Sequence, residues 1–126
     1  MISYLDTSIV IWLEAGLTER ISAKAQQRIE NSDLLISPMV LLELEFLREI
    51  GRLKTRIEPV LSHLGQAIGL SVCQLPMAAT ITAALQLSWT RDPFDRLIVA
   101  NAAANNAAAL ITSDERIRSM YQNAVW

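Results

Sequence analysis

Four carboxylates stand at positions where chemistry could be done: Asp6, Glu43, Asp95 and Asp114. Asp6 follows the apolar stretch Ile2-Ser3-Tyr4-Leu5, and Asp114 closes Leu110-Ile111-Thr112-Ser113. Oxygen donors without histidine or cysteine companions form a hard ligand set, which selects Mg²⁺, with Mn²⁺ as a substitute. One or two ions held in this way would lower the pKa of a bound water. They would also stabilise charge on a leaving oxygen.

Each acid has a plainer reading as well. Asp6 can cap the helix that follows it, although Thr7 and Ser8 already offer capping oxygens. Asp114 can cap the helix carrying Glu115 to Met120. Taken alone, either residue reads as well one way as the other. Glu43 says more. At roughly 100° per residue, Glu45, Arg48 and Glu49 share one polar arc of the segment Pro38 to Ile50. Glu43 falls on the other side, among Val40, Leu44, Leu47 and Ile50. Burying a carboxylate there is costly without a partner, so the alternative to a metal is an ion pair with an arginine. Asp92, directly before Pro93, is placed as a helix cap, and the helix dipole favours it and Asp95 alike. Asp95 points between Ile98 and Val99, toward the side that meets the sheet. Asp95 is therefore assigned to the site and Asp92 to capping, with an outer-shell metal role left open.

Other polar residues carry less. His63, the one histidine, lies on a polar helix face and reads as solvated. One histidine and one cysteine do not make a zinc site of the usual kind. Neither a G-x-x-x-x-G-K-[ST] loop nor a G-x-S-x-G elbow is present. Trp12, Trp89 and Trp126 read as packing or interface residues.

The elements that must position the acids follow from apolar spacing and caps. Ile2 to Leu5 reads as a strand, and Thr7 or Ser8 then caps a short helix through Leu13. Thr18 to Glu30 reads as one amphipathic helix, with Thr18 as cap and Ile21, Ala25 and Ile29 on one face. Leu34 to Ile36 is a second strand. Ser37-Pro38 opens a helix running to about Ile50 and stopping at Gly51. Ile57, Val60, Leu61, Leu64 and Ile68 mark another helix, and Ser71 to Cys73 a third strand. Helices are expected from Pro76 to Leu87 and from Asp92 through Asn101. Leu110 to Thr112 is a fourth strand, followed by a short basic helix and a last strand near Ala124 to Trp126. Short apolar strands alternating with helices imply an α/β fold, a parallel sheet covered on both faces. Ligands of such sheets bind beyond the carboxyl ends of the strands, at a topological switch point. Asp6 and Asp114 are at such ends.

With 126 residues, 52% of them hydrophobic and 19% charged, the chain fits a single domain, 1–126, with a sizeable core. The net charge of −2 argues weakly against a nucleic-acid partner. Setting the four candidate acids aside leaves nine acidic residues against eleven Lys and Arg, a balance of +2. A lone cysteine, Cys73, in an apolar stretch fits a reducing compartment. No targeting segment is visible, and the apolar run between Asp6 and Glu14 is too short to span a bilayer. The expectation is a cytoplasmic protein without a membrane partner.

Four segments in order carry a family resemblance. They are Tyr4-Leu5-Asp6-Thr7-Ser8, Ser37-Pro38-Met39-Val40-Leu41-Leu42-Glu43-Leu44, Arg91-Asp92-Pro93-Phe94-Asp95-Arg96-Leu97-Ile98-Val99-Ala100 and Leu110-Ile111-Thr112-Ser113-Asp114. Together they span nearly the whole chain, and the Asp-Pro-Phe-Asp-Arg run is the most specific. The sequence resembles the PIN-domain nucleases, especially VapC-type toxins of toxin–antitoxin pairs. The resemblance implies a PIN-like fold and a Mg²⁺- or Mn²⁺-dependent endoribonuclease acting on RNA. It also implies a cognate antitoxin and a homodimer. Family roles carry over to Asp6, Glu43, Asp95 and Asp114 as the catalytic, metal-holding cluster, with Thr7, Ser8 and Thr112 as supporting hydroxyls. Arg96, or the run Arg48, Arg52, Lys54 and Arg56, would hold phosphates, although that run reads first as a solvated helix end.

Three alternatives stand beside this. One is a PIN nuclease outside a toxin system, and another a PIN fold kept only to bind RNA or protein. A receiver domain would want two adjacent acids after the first strand and a late lysine. Thr7 follows Asp6, and no lysine follows Lys54.

Overall fold

Five short strands pair in parallel: Ile2–Leu5 (β1), Asp33–Ile36 (β2), Ser71–Val72 (β3), Ala109–Ile111 (β4) and Ala124–Val125 (β5). Their order across the sheet is β3-β2-β1-β4-β5. The computed structural model describes the chain from Met1 to Trp126. Seven helices connect the strands: Thr7–Ala15 (α1), Ala23–Glu30 (α2), Pro38–Glu49 (α3), Ile57–Ile68 (α4), Met77–Ala84 (α5), Pro93–Ala104 (α6) and Glu115–Met120 (α7). The fold is the expected α/β arrangement, a central parallel sheet among helices.

Strand order explains how both faces are covered. The connections from β1 to β2 and on to β3 step one way across the sheet, and those from β3 to β4 and β5 step back. Parallel crossovers are right-handed, so the two sets lie on opposite faces. Tyr4 and Leu5 in β1 and Leu110 and Ile111 in β4 are accordingly fully buried. They join Ile9, Val10, Ile36, Val40, Ile98, Val99 and Ile117 in one core. The switch in direction falls between β1 and β4, where Leu5 pairs with Ile111. The residues that follow, Asp6 and Thr112, therefore emerge side by side at the carboxyl edge. Asp6 N donates to Ile111 O at 3.0 Å and fastens this corner.

Four sequence expectations need correction. The segment Thr18 to Glu30 is not one helix: a 3-10 turn, Thr18–Arg20, precedes α2. Ile21 between them is extended and buried, and Ser22, not Thr18, caps α2 by accepting from Ala25 N at 3.1 Å. Burial of Ile21 together with a better cap outweighs helix continuity. Secondly, α1 is capped by Asp6, whose Oδ1 accepts from Thr7 N at 2.8 Å. Thr7 and Ser8 are already helical. Thirdly, α5 ends at Ala84 rather than Leu87, while α6 runs on past Asn101 to Ala104. Fourthly, β4 is Ala109–Ile111, which leaves Thr112 outside the ladder with its hydroxyl turned to the edge. Shifts of one residue affect the starts of β2 and α5 and the end of β3. Ser37 caps α3 with Pro38 in the first turn, and Gly51 beyond its end adopts φ +79°, in the left-handed region that glycine tolerates best.

Candidate active site

Four structural elements bring the predicted acids to one edge. Asp6 leaves β1 and is 7% exposed. Its Oδ1 is held by the start of α1, and its Oδ2 accepts from Thr112 Oγ1 at 2.6 Å. Thr112 Oγ1 also accepts from Asp114 N at 3.0 Å, so one hydroxyl braces two of the acids. Asp114 is exposed and caps α7, its Oδ1 accepting from Ile117 N at 2.9 Å. Both Asp6 and Asp114 thus combine a capping bond with a place at the edge. The two readings weighed from sequence are not exclusive.

Glu43 is half-buried on α3, and its Oε1 accepts from Thr7 Oγ1. The ion pairs of the chain are Met1–Asp33, Arg48–Glu45 and His63–Glu14. Glu43 belongs to none of them, so the arginine partner considered from sequence does not exist. Asp95 is half-buried in the first turn of α6. Asp92 caps that helix, its Oδ1 accepting from Phe94 N at 2.8 Å and Asp95 N at 3.2 Å.

These carboxylates act on one another. Burial first, then the charges of Asp6, Asp92, Asp114 and Glu43, push Asp95 up to about 7. Burial also raises Asp6, against the lowering effect of its bonds from Thr112 and Thr7, and Asp114 raises it further. Glu43 is raised by burial, lowered by the Thr7 bond and raised again by Asp6 and Asp92. No basic group offsets any of the three.

As the side chains stand, no three of them converge closely enough to clasp one ion. The physical reason is visible in their bonds. Carboxylates without a counter-charge repel, and Asp6, Glu43 and Asp114 have each turned to a hydroxyl or backbone N–H. The donor set nevertheless suits a hard divalent cation: oxygen only, several negative charges, and no competing cation.

The remaining predicted residues divide. Thr7 and Thr112 each bond an acid, whereas Ser8 is half-buried one position along α1. Arg96 turns away: its Nε donates to Ala84 O at 2.8 Å and straps α6 to α5. His63 is exposed, as its helix face implied, but its Nδ1 lies 2.7 Å from Glu14 Oε2 across α1 and α4. Sequence reasoning missed Arg116, whose Nη2 donates to Trp89 O and ties α7 to the loop before Asp92. Nothing local in the sequence signals that contact.

Known proteins resemble this chain in sequence and in fold. The PIN-domain family model matches residues 3–123. Ribonuclease VapC22 of Mycobacterium tuberculosis is 36% identical over 122 residues, covering 91% of this chain and 88% of the relative. Among solved structures, VapBC-1 from nontypeable Haemophilus influenzae superposes with a TM-score of 0.62 at 21% identity, covering 94% of each chain. VapBC2 from Rickettsia felis, bound to a promoter DNA fragment, gives a TM-score of 0.59 at 21% identity, over 98% of this chain and 96% of the other. At that identity the structural likeness speaks for the fold.

Proposed function

The chain belongs to the PIN-domain family, and from that premise we propose that it is a Mg²⁺-dependent endoribonuclease, the toxin of a toxin–antitoxin pair, working through Asp6, Glu43, Asp95 and Asp114. One observation carries the reading: acids from four separate segments meet at a topological switch point, where burial and neighbouring carboxylates raise Asp6, Glu43 and Asp95, with no basic side chain among them. A fold does not keep that repulsion for stability. The relative similar over most of the chain is named a ribonuclease, and both structural relatives are VapBC complexes.

Bound among these oxygens, Mg²⁺, or Mn²⁺ in its place, supplies charge that activates water and offsets the phosphate. The chain's own residues position and tune. Thr112 fixes the orientation of Asp6, Thr7 holds Glu43 toward it, and Asp92 sets the first turn that presents Asp95 and stands as an outer-shell group. Ser8 adds a further hydroxyl in the first turn of α1. Arg96 contributes by holding α6 in place rather than by reaching a phosphate. Attack by water on phosphorus, with the P–O3′ bond breaking and the 3′ oxygen leaving as a hydroxyl, would give products with a 5′-phosphate and a 3′-hydroxyl.

The antitoxin is assigned to α3 and α4, where Leu42, Phe46 and Ile50, on α3 and at its end, are exposed, and the toxin itself to a homodimer. No helix is long and apolar enough to cross a membrane. The test is cleavage of a labelled RNA with Mg²⁺, with Mn²⁺ and in excess chelator, followed by end-group analysis. Cleavage requiring the metal and leaving 5′-phosphates is expected. Full activity in chelator from independent preparations, or 2′,3′-cyclic phosphate ends, overturns the proposed chemistry.

A further inference from the structure

Glu43 and Asp95 belong to different helices, and what fixes their separation lies away from the acids. Helix α3 packs on α6. At one end of the contact the Ser37 hydroxyl, which also caps α3, donates to Asn101 Oδ1 on α6. At the other, the rings of Phe46 on α3 and Phe94 on α6 lie 5.5 Å apart, tilted at 35°. The order of these pairs makes the helices antiparallel. Six residues on from Ser37, about 9 Å at 1.5 Å per residue, lies Glu43. Six residues back from Asn101, the same rise of about 9 Å, lies Asp95. The two carboxylates are therefore level with each other, between the two contacts.

Packing alone does not hold the Ser37 end. There an open cavity of about 300 Å³ separates α3, α5 and α6, lined by Pro38, Leu42, Met77 and Leu97 among others. Ser37, 1% exposed, and Asn101, 3% exposed, form its polar floor. The Asn101 amide is fully engaged: Nδ2 donates to Thr80 Oγ1 on α5 at 2.9 Å and approaches Cys73 Sγ at 3.7 Å. Those contacts satisfy Nδ2, while the register of α3 on α6 is set by the bond that the Ser37 hydroxyl donates to Asn101 Oδ1.

Resting on the metal-site reading above, we propose that Asn101 is a positioning residue. Its bond to Ser37, together with the Phe46–Phe94 contact, clamps α3 against α6 and so sets the span across which Glu43 and Asp95 hold a divalent ion. Groups that orient metal ligands without touching the metal are commonly worth about tenfold or more in affinity.

Mn²⁺ alone, titrated into the whole protein by calorimetry, with melting curves alongside, reads this out. Asn101→Leu keeps the volume and removes the bond; Phe46→Ala loosens the other end at a side chain that is 43% exposed and dispensable for the core. Thr80→Val breaks a bond in the same buried network but leaves Ser37–Asn101 intact, and so matches the stability loss without touching the clamp. Expected are a roughly tenfold weaker Mn²⁺ affinity for Asn101→Leu, a smaller fall for Phe46→Ala with little change in melting, and wild-type affinity for Thr80→Val. Wild-type affinity in both clamp variants overturns the inference while leaving the metal site standing. So does a loss in Thr80→Val equal to that in Asn101→Leu, which would mean that affinity merely follows stability. A wild-type protein that binds no Mn²⁺ overturns both the inference and the site.

Discussion

Replacing Asp95 with asparagine should make the metal-free protein more stable, and only above mildly acidic pH. Asp95 is pushed from its ordinary 3.8 up to about 7, first by burial and then by the surrounding acids. Three units would correspond to about 4 kcal/mol at 1.36 kcal/mol each. The side chain is only half-buried, and solvent screening reduces this to roughly 2 kcal/mol. The sign follows from proton counting. Between about pH 4 and 7 the folded protein keeps a proton on Asp95 that the unfolded chain has lost, so unfolding releases it. Stability therefore falls as pH rises through that window and levels off above it. Asp6 and Glu43, raised as well, push in the same direction. In chelator, wild type should lose roughly 2 kcal/mol between pH 4.5 and 8, a drop of about one-seventh to two-fifths of the stability scale of ordinary domains and several degrees in Tm. Asp95→Asn should flatten that slope and melt higher than wild type at pH 8. Saturating Mg²⁺ should stabilise wild type at pH 8 more than at pH 5, and the variant less than wild type at either. Thermal melts across this range for both proteins decide it. Wild-type stability that climbs from pH 5 to 8 in chelator, or an Asp95→Asn variant that melts lower at pH 8, refutes the electrostatic account of the site.

Glu43→Gln should abolish nearly all cleavage while the metal-free protein melts no lower than wild type, because it relieves repulsion and strands no cationic partner; Glu45→Gln, which loses only the surface pair with Arg48, should keep most activity. A drop of roughly 3–5 kcal/mol in Glu43→Gln, the cost of breaking a buried pair, with turnover per folded molecule preserved, would remove Glu43 from the site. Thr112→Val should lower cleavage at least about tenfold and cost roughly 1–3 kcal/mol, since Asp6 Oδ2 and Asp114 N lose their shared partner. Wild-type turnover in that variant would show that Asp6 needs no such brace.

The legible part of the fold was the part carried by short-range signals. Ser37-Pro38 announced the start of α3, and the spacing of Ile57, Val60, Leu64 and Ile68 marked α4. Where a local signal competed with burial, the sequence reading erred. Thr18 offered a credible cap and Ile21 sat at helical spacing with Ala25. Placing Ile21 in the core nevertheless required an extended residue, and Ser22 took over the cap. The capping of α1 was misread for a related reason. Thr7 and Ser8 are good capping residues, but Asp6 at the end of β1 reaches the first N–H while Thr7 turns its hydroxyl to Glu43, a contact 36 residues distant that no window along the chain contains.

The same distinction governs the site. The four acids were readable because each breaks a local pattern: a carboxylate at a strand end, or on the apolar side of a helix. What joins them was not readable, because it depends on strand register. Pairing of Leu5 with Ile111 is what sets Thr112 beside Asp6, and a slip of one residue would turn that hydroxyl to the other face. Asn101 lies between these cases. An asparagine three residues after Ile98, on the side of α6 that also buries Ala102, is as anomalous as Glu43 on α3, and the rule that buried polar groups need partners flags it equally well. That rule says only that partners exist. Whether a buried polar residue bonds to structure or holds a ligand depends on what faces it across the fold. Asn101 meets Ser37 and Thr80 and is satisfied, whereas the charges that act on Asp95 are those of other acids.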